Sequence, residues 1–253
     1  MDRPLVWTPS LPSPLLGASL ALPIAALSLG SGYLCGRWRL EGKLRANDTR
    51  KIFHFTIFTA AGVLQALWGT PAVNLLGGIV TLQIAWVLAR GDGNVLFEGL
   101  ARDEDRPHRG FYILLPFLAT GAGGIVSSWL FGRASILGFL VTGWADAIAE
   151  PLGIRFGRHR YRVPSLRKGV STQRSVEGSL GVLGASFVAA LVGAKLAYPT
   201  GGLAAHAGAA ALVAISATLV EAVSHHGTDN FTVQVSASGV AWWLLDGAVS
   251  VAG

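Results

Sequence analysis

Two long stretches of this chain, residues 4–36 and 52–89, contain no Asp, Glu, Lys or Arg. A helix needs about 20 predominantly apolar residues to cross the hydrocarbon core of a bilayer. The first stretch therefore holds one crossing, over residues 15–34. The second holds two, with Gly69-Thr70-Pro71 as the turn between them. Further apolar runs follow at about 110–131, 134–153, 178–198, 203–223 and 231–251. Only 13% of the 253 residues are charged, against about a quarter in soluble domains, so there is too little polar surface to wet a globule. These features predict an all-α, polytopic membrane bundle of roughly eight transmembrane helices, one integral-membrane domain over residues 1–253. The N-terminal 14 residues carry Pro4, Pro9, Pro12 and Pro14 and little positive charge, which reads as a retained segment rather than a cleaved leader.

Charge in the connections sets the expected sidedness. Residues 37–51 carry six basic side chains and two acids, and residues 155–174 carry seven basic side chains and no acid. Four predicted crossings separate these loops, so both lie on one side, which the positive-inside rule makes cytoplasmic. Residues 90–109 and 221–229 fall on that side by counting, and the connections on the other side are nearly uncharged. The run Arg102-Asp103-Glu104-Asp105-Arg106 reads as a solvated loop. Basic residues flank apolar spans instead of forming a stripe with stacking aromatics, which argues against nucleic acid as a partner.

Candidate chemistry gathers at the cytoplasmic side. Asp146 and Glu150 are four apart, so on a helix both carboxylates share one face. Neighbouring acids beside lipid repel and are costly to desolvate; a hard divalent cation such as Mg²⁺, with phosphate oxygens completing its shell, would offset both penalties. The following loop holds Arg155, Arg158, Arg160, Arg162, Arg167 and Lys168, a setting for polyphosphate; the alternative is a topology anchor touching anionic lipid. That loop continues into Arg174-Ser175-Val-Glu177-Gly178-Ser179, which reads as a capped helix N-terminus offering N–H groups to an anion. Arg50, Lys51 and His54 open the second span at helical spacing. Glu221, His225, His226, Asp229 and Asn230 lie within ten residues at the start of the last span, where Thr228 or Asp229 would cap the helix.

These elements resemble those of the phytol kinase, dolichol kinase and CTP-dependent diacylglycerol kinase group. Arg50-Lys51-Ile-Phe-His54 is similar to its Arg-Lys-x-x-His element. The run from Asp146 through Glu150 and Gly153 to Gly157 resembles its Gly-Asp-Gly-x-Ala-(Asp/Glu) segment, although Ala145 and Ala147 stand where the family often has Gly. Arg174–Ser179 resembles (Lys/Arg)-(Ser/Thr)-x-Glu-Gly-Ser, and the segment from Glu221 to Thr232 resembles Glu-Ala-x-Ser-x-x-Gly-x-Asp-Asn-x-Thr. The resemblance implies a CTP-dependent kinase acting on a membrane-dissolved isoprenoid alcohol such as phytol, farnesol or a polyprenol. On that reading Asp146, Glu150 and Asp229 hold Mg²⁺, and Asp146, Glu177 and Asp229 serve catalysis. Arg50, Lys51, His54, Arg155, Arg167, Lys168, Arg174, Ser175, Gly178 and Asn230 bind nucleotide and phosphate. Two other readings use the same residues. A cytidylyltransferase acting on a lipid phosphate would release pyrophosphate instead of CDP. A transporter would take the acids as ion ligands, but would want polar groups near the midplane.

Overall fold

The computed structural model describes residues 10–163, 172–225 and 227–247. In chain order they form α1 (Pro14–Leu40), α2 (Ala46–Trp68), α3 (Thr70–Arg90), a short α4 (Val95–Leu100), α5 (Arg109–Phe131), α6 (Ser135–Phe156), a hairpin of β1 (Arg160–Val163) and β2 (Thr172–Ser175), α7 (Val176–Ala197), α8 (Leu203–Val223) and α9 (Asp229–Leu245). The protein is an all-α membrane bundle apart from that hairpin. Five stretches among the described residues are long and apolar enough to cross a membrane: Pro14–Leu40, Thr70–Arg90, Arg109–Phe156 (which joins α5 and α6), Val176–Ala197 and Leu203–Val223. Two further long helices do not meet that standard. α2 carries Lys51, His54 and Gln65 along its length, and α9 has 17 residues.

α6 is the central helix. It packs against α2 on one side and against α7 and α9 on the others, and every residue from Ser135 to Gly143 is buried. Its neighbours approach through small side chains. α7 buries Ala189, Ala190, Gly193, Ala194 and Ala197, and a Cβ on Gly193 would lie 3.1 Å from the Leu137 Cα. Within a bilayer burial from water does not drive helices together, so close backbone packing through small residues takes over that role. The same device joins α1 to α4, where a Cβ on Gly36 would sit 1.8 Å from the Val95 carbonyl oxygen.

The charged connections meet at one end of the bundle. Arg39, at the end of α1, binds both carboxylate oxygens of Asp103 at 2.9 Å. Arg109, with 3% of its side chain exposed, donates to Glu98 at 3.1 and 2.7 Å and to Asp92 at 2.6 Å. The 102–106 run is solvated at Asp103, Glu104 and Arg106, as expected. Within it Arg102 pairs with Asp105 at 2.9 Å across a short turn of 3-10 helix at Asp103–Asp105. α4 was likewise not anticipated; six residues carry too little periodicity to read, though Asn94 caps it by accepting from the Leu96 N–H at 3.0 Å. At the opposite end Arg133 pairs with Asp246 at 2.8 Å and lies over the Tyr198 ring, and the Tyr198 hydroxyl donates to Asp246 at 2.5 Å. That clasp joins the α5–α6 and α7–α8 connections to the end of α9.

Two outcomes follow. Gly36→Ala forces α1 and α4 apart, costs the ~1–3 kcal/mol of stability typical of overpacking and so lowers the melting temperature in detergent. Glu98 responds to pH. Burial alone would raise its carboxyl, but the Arg109 hydrogen bonds, the Gly93 N–H and the Arg109 and Arg39 charges outweigh burial and hold it below the usual carboxylate value. A depressed carboxyl contributes stability that is fully present above its unfolded pKa of about 4.3 and is lost as pH falls through the folded value. Melting temperature thus drops on acidification below that point, and Glu98→Gln, measured across the same range, flattens the drop.

Candidate active site

The polar end of the bundle brings together side chains from five elements. Lys51, in the first turns of α2, points its ammonium between two acids of α6, 2.5 Å from Asp146 Oδ1 and 3.2 Å from Glu150 Oε2. Asp146 and Glu150 are one helical turn apart, so a single cation serves both. Lys51 keeps only 7% of its side chain exposed, which makes this ion pair a buried one on the cationic side. Arg174, on β2, makes the matching arrangement. Its two terminal nitrogens lie 3.0 Å from Glu221 at the end of α8 and 3.0 Å from Asp229 in the first turn of α9. Four carboxylates thus face one region, with one cation held between each pair.

Between these clusters lies a polar cavity of about 460 Å³, lined by both pairs and also by Arg102, Arg160, Gln173, Ser175, Gly178 and Ser179. The N-terminus of α7 forms part of its wall. Ser175 is the cap, accepting from the Gly178 N–H at 3.1 Å, and the Val176 N–H donates to the His159 carbonyl at 2.9 Å, so what this end of α7 brings to the cavity is the positive end of its dipole. Glycines allow this end of α7 to sit against α6. A Cβ on Gly178 would lie 3.2 Å from the Ala149 carbonyl oxygen, and one on Gly157 would lie 2.8 Å from Ser175 Oγ. The hairpin carries Arg174 into the site and is braced by Tyr161, whose hydroxyl lies 2.7 Å from Ser179 Oγ.

A second cavity, about 100 Å³ and largely apolar, opens on the other side of the same carboxylates. Asp146 and Asp229 line both. Its polar members include Arg50, His54, Thr120 and Asn230. His54 Nε2 is 3.5 Å from Asp146 Oδ2 and is buried with no hydrogen-bond partner. Asn230 Nδ2 donates to Thr120 at 2.9 Å.

The expected residues divide accordingly. Lys51, Asp146, Glu150, Arg174, Ser175, Gly178 and Asp229 line the polar cavity. Arg50, His54 and Asn230, read from sequence as nucleotide contacts, line the apolar one instead. Arg50 and His54 are four apart and share a helix face, whereas Lys51 is rotated about 100° from Arg50 and so looks the other way. Two expected residues reach neither cavity. Glu177 accepts from the backbone N–H groups of Arg158 at 3.1 Å and His159 at 3.3 Å, and it pairs with the His159 ring at 2.7 Å. Its carboxylate is thereby committed to tying the end of α6 to α7. Arg155 is exposed and lies over the ring of Phe156. Arg167 and Lys168 lie outside the described residues. The expected helix cap at α9 also differs: Thr228 donates to the His225 carbonyl at 3.1 Å instead of capping, and Asp229 accepts from the Asn230 N–H at 3.1 Å. Glu221 and Arg160, read from sequence within the charged clusters but given no role of their own, and Arg102, read as part of a solvated loop, also line the polar cavity. For Glu221 the signal was present, an acid at the polar end of an apolar span eight residues before Asp229. Among the described residues no set of three or more His, Cys, Asp or Glu side chains converges closely enough to hold a metal unaided.

No family model matches the chain, and no solved structure matches it. A curated relative does: the phytol kinase of Synechocystis sp. (strain ATCC 27184 / PCC 6803 / Kazusa) is 33% identical over 228 residues, which is 88% of this chain and 91% of that protein.

The ion pairs themselves can be tested. Lys51→Met leaves Asp146 and Glu150 facing each other without a counter-charge and lowers the melting temperature. Adding Asp146→Asn recovers part of the loss. The double-mutant cycle gives a coupling of about 0.5–3 kcal/mol, and additive effects would show that the two side chains do not interact.

Proposed function

Because the chain belongs to the phytol kinase family, we propose that it phosphorylates a lipid alcohol at the polar end of the bundle, with CTP as phosphoryl donor and Mg²⁺ as the required ion. The observation that carries this reading is the shared wall: Asp146 and Asp229 border a cation-rich polar cavity on one side and an apolar cavity on the other. A phosphoryl donor is anionic and water-soluble, and the acceptor is dissolved in lipid. An enzyme joining them needs adjoining compartments of opposite character with its charge-handling groups at the boundary.

In this mechanism the polar cavity receives the triphosphate. Lys51 and Arg174 turn from their carboxylates toward phosphate oxygens; Arg102 and Arg160 line the cavity wall, and the α7 N-terminus adds the positive end of its dipole. Asp146 and Asp229 would hold Mg²⁺. Their oxygens are the donor type a hard cation takes, and two carboxylates leave the other coordination positions to phosphates and water, in keeping with the lack of a ready-made cluster of three among the described residues. The bound ion supplies neutralisation of phosphate charge. The alcohol presents its hydroxyl from the apolar side to His54 and the junction carboxylates, where Asp146 or Asp229 accepts its proton as the γ-phosphoryl is transferred. Phosphoryl transfer depends on such positioning and charge neutralisation more than on covalent chemistry. The positive loops around this end favour the cytoplasmic side.

Purified protein in detergent, given γ-labelled CTP, Mg²⁺ and phytol, farnesol or a polyprenol, yields a labelled lipid phosphate and CDP. Asp146→Asn lowers the rate at least a hundredfold without unfolding the protein. Release of pyrophosphate instead of CDP would assign a cytidylyltransferase, and a folded protein that labels none of the alcohols would refute the kinase reading.

A further inference from the structure

The guanidinium of Arg109 borders neither cavity, yet each of its nitrogens donates a hydrogen bond. Nη1 donates to Asp92 and Glu98, Nη2 to Glu98 and the Ala101 carbonyl, and Nε to the Arg102 carbonyl at 3.1 Å. Resting on the kinase reading above, we propose that Arg109 is a positioning residue for the nucleotide. Through the main chain of residues 101 and 102 it holds the Arg102 guanidinium at the wall of the polar cavity, where Arg102 contacts the triphosphate.

Three observations carry this role. The first is what α4 lacks. A helix leaves its last carbonyls without intrahelical partners, and the chain leaves α4 in extended conformation at Ala101 and Arg102. Side chains from three other helices fill the gap. Arg39 of α1 donates to the Glu98 carbonyl at 2.9 Å and to the Ala101 carbonyl. Thr49 of α2 donates to the Gly99 carbonyl at 2.9 Å, and Arg109 of α5 takes the carbonyls of Ala101 and Arg102. The second is where the pinned segment leads. Arg102 lines the polar cavity, and its Nε and Nη2 lie 2.9 and 3.2 Å from the Asp105 carboxylate. Its main chain and its guanidinium are therefore both set before a ligand arrives, which lowers the cost of binding, and a guanidinium fork matches phosphate oxygens. The third is the burial of charge. Arg109 keeps 3% of its side chain exposed and Arg39 11%. Buried ion pairs add little net stability over apolar packing; what these two supply that apolar side chains could not is donors for the carbonyls around Arg102.

The test measures CTP binding by the full chain in detergent with Mg²⁺ and no alcohol, so it does not depend on turnover. Arg102→Gln weakens CTP about tenfold, the loss of one hydrogen bond to a charged group. Arg109→Lys keeps the buried charge but cannot reach every acceptor, and it weakens CTP to a similar degree. In the Arg102→Gln background it has no further effect. With phytol present, Arg109→Lys raises KM for CTP by the same factor while kcat at saturating CTP changes less than about twofold. Additive losses in the double variant, or CTP affinity unchanged by either substitution, overturn the proposal. Where Arg109→Lys does not fold, Glu98→Gln takes its place, because it loosens the same guanidinium. It weakens CTP only while Arg102 is present; equal weakening in both backgrounds, or none, overturns the proposal. Protein that binds CTP in this pattern but labels no alcohol refutes the kinase reading and supports the positioning role. Wild-type protein that binds no CTP overturns the positioning role.

Discussion

Ionised carboxylates at the end of a lipid-embedded bundle are stable only with counter-charge close by, and this molecule supplies it from within. Asp146 and Glu150 share Lys51, and Glu221 and Asp229 share Arg174. Each cation comes from a different part of the chain than the acids it serves. The pairs therefore fasten α2 to α6, and the hairpin to α8 and α9. Desolvation makes such pairs weak contributors to net stability, yet breaking one is costly because a bare charge remains. They fix the geometry of the polar end more than they strengthen the fold. They also keep the cations beside a cavity where phosphate oxygens can replace the carboxylates as partners.

Two compartments meet at those acids, and the helices explain why. α6 is surrounded by other helices over its first half, then runs to the polar end, where Asp146 and Glu150 face charged neighbours. α2 lies beside it and divides its own residues: Lys51 toward the polar cavity, Arg50 and His54 toward the apolar one. The small-residue seams between α6, α7 and α8 hold this arrangement at short range without needing large side chains. Below the boundary the molecule offers hydrocarbon a narrow recess; above it, cations and the positive end of α7.

The long helices were legible in the chain because apolar runs bounded by charge or by Gly and Pro leave few alternatives. The run at 203–223 coincides with α8, and Gly69, with a φ of 73°, ends α2 where the Gly-Thr-Pro turn was expected. α2, read from sequence as a crossing, falls outside the five stretches long and apolar enough to cross, since Lys51, His54 and Gln65 interrupt its apolar pattern. The convergence of Asp146, Lys51, Arg174 and Asp229 was anticipated from their common side of the bundle; which residue faces which was not. Spacing alone could not tell the Arg50 face from the Lys51 face as acceptor or donor side, because that depends on how α2 is rotated against α6. The hairpin was missed because its strands are four residues each and rich in Arg, and so read as loop. Glu177 shows the converse: its place beside Gly178 suggested chemistry, but its oxygens are occupied by the backbone of Arg158 and His159.

The central claim is that one site handles nucleotide phosphates and lipid hydroxyl across a shared pair of carboxylates. An experimental structure of the protein with Mg²⁺ and a non-hydrolysable CTP analogue tests it most directly. The account predicts phosphates between Lys51 and Arg174, with the ion touching Asp146 or Asp229 and the terminal phosphate facing His54. Nucleotide bound at another surface, with Lys51 and Arg174 still paired to their carboxylates, would contradict it.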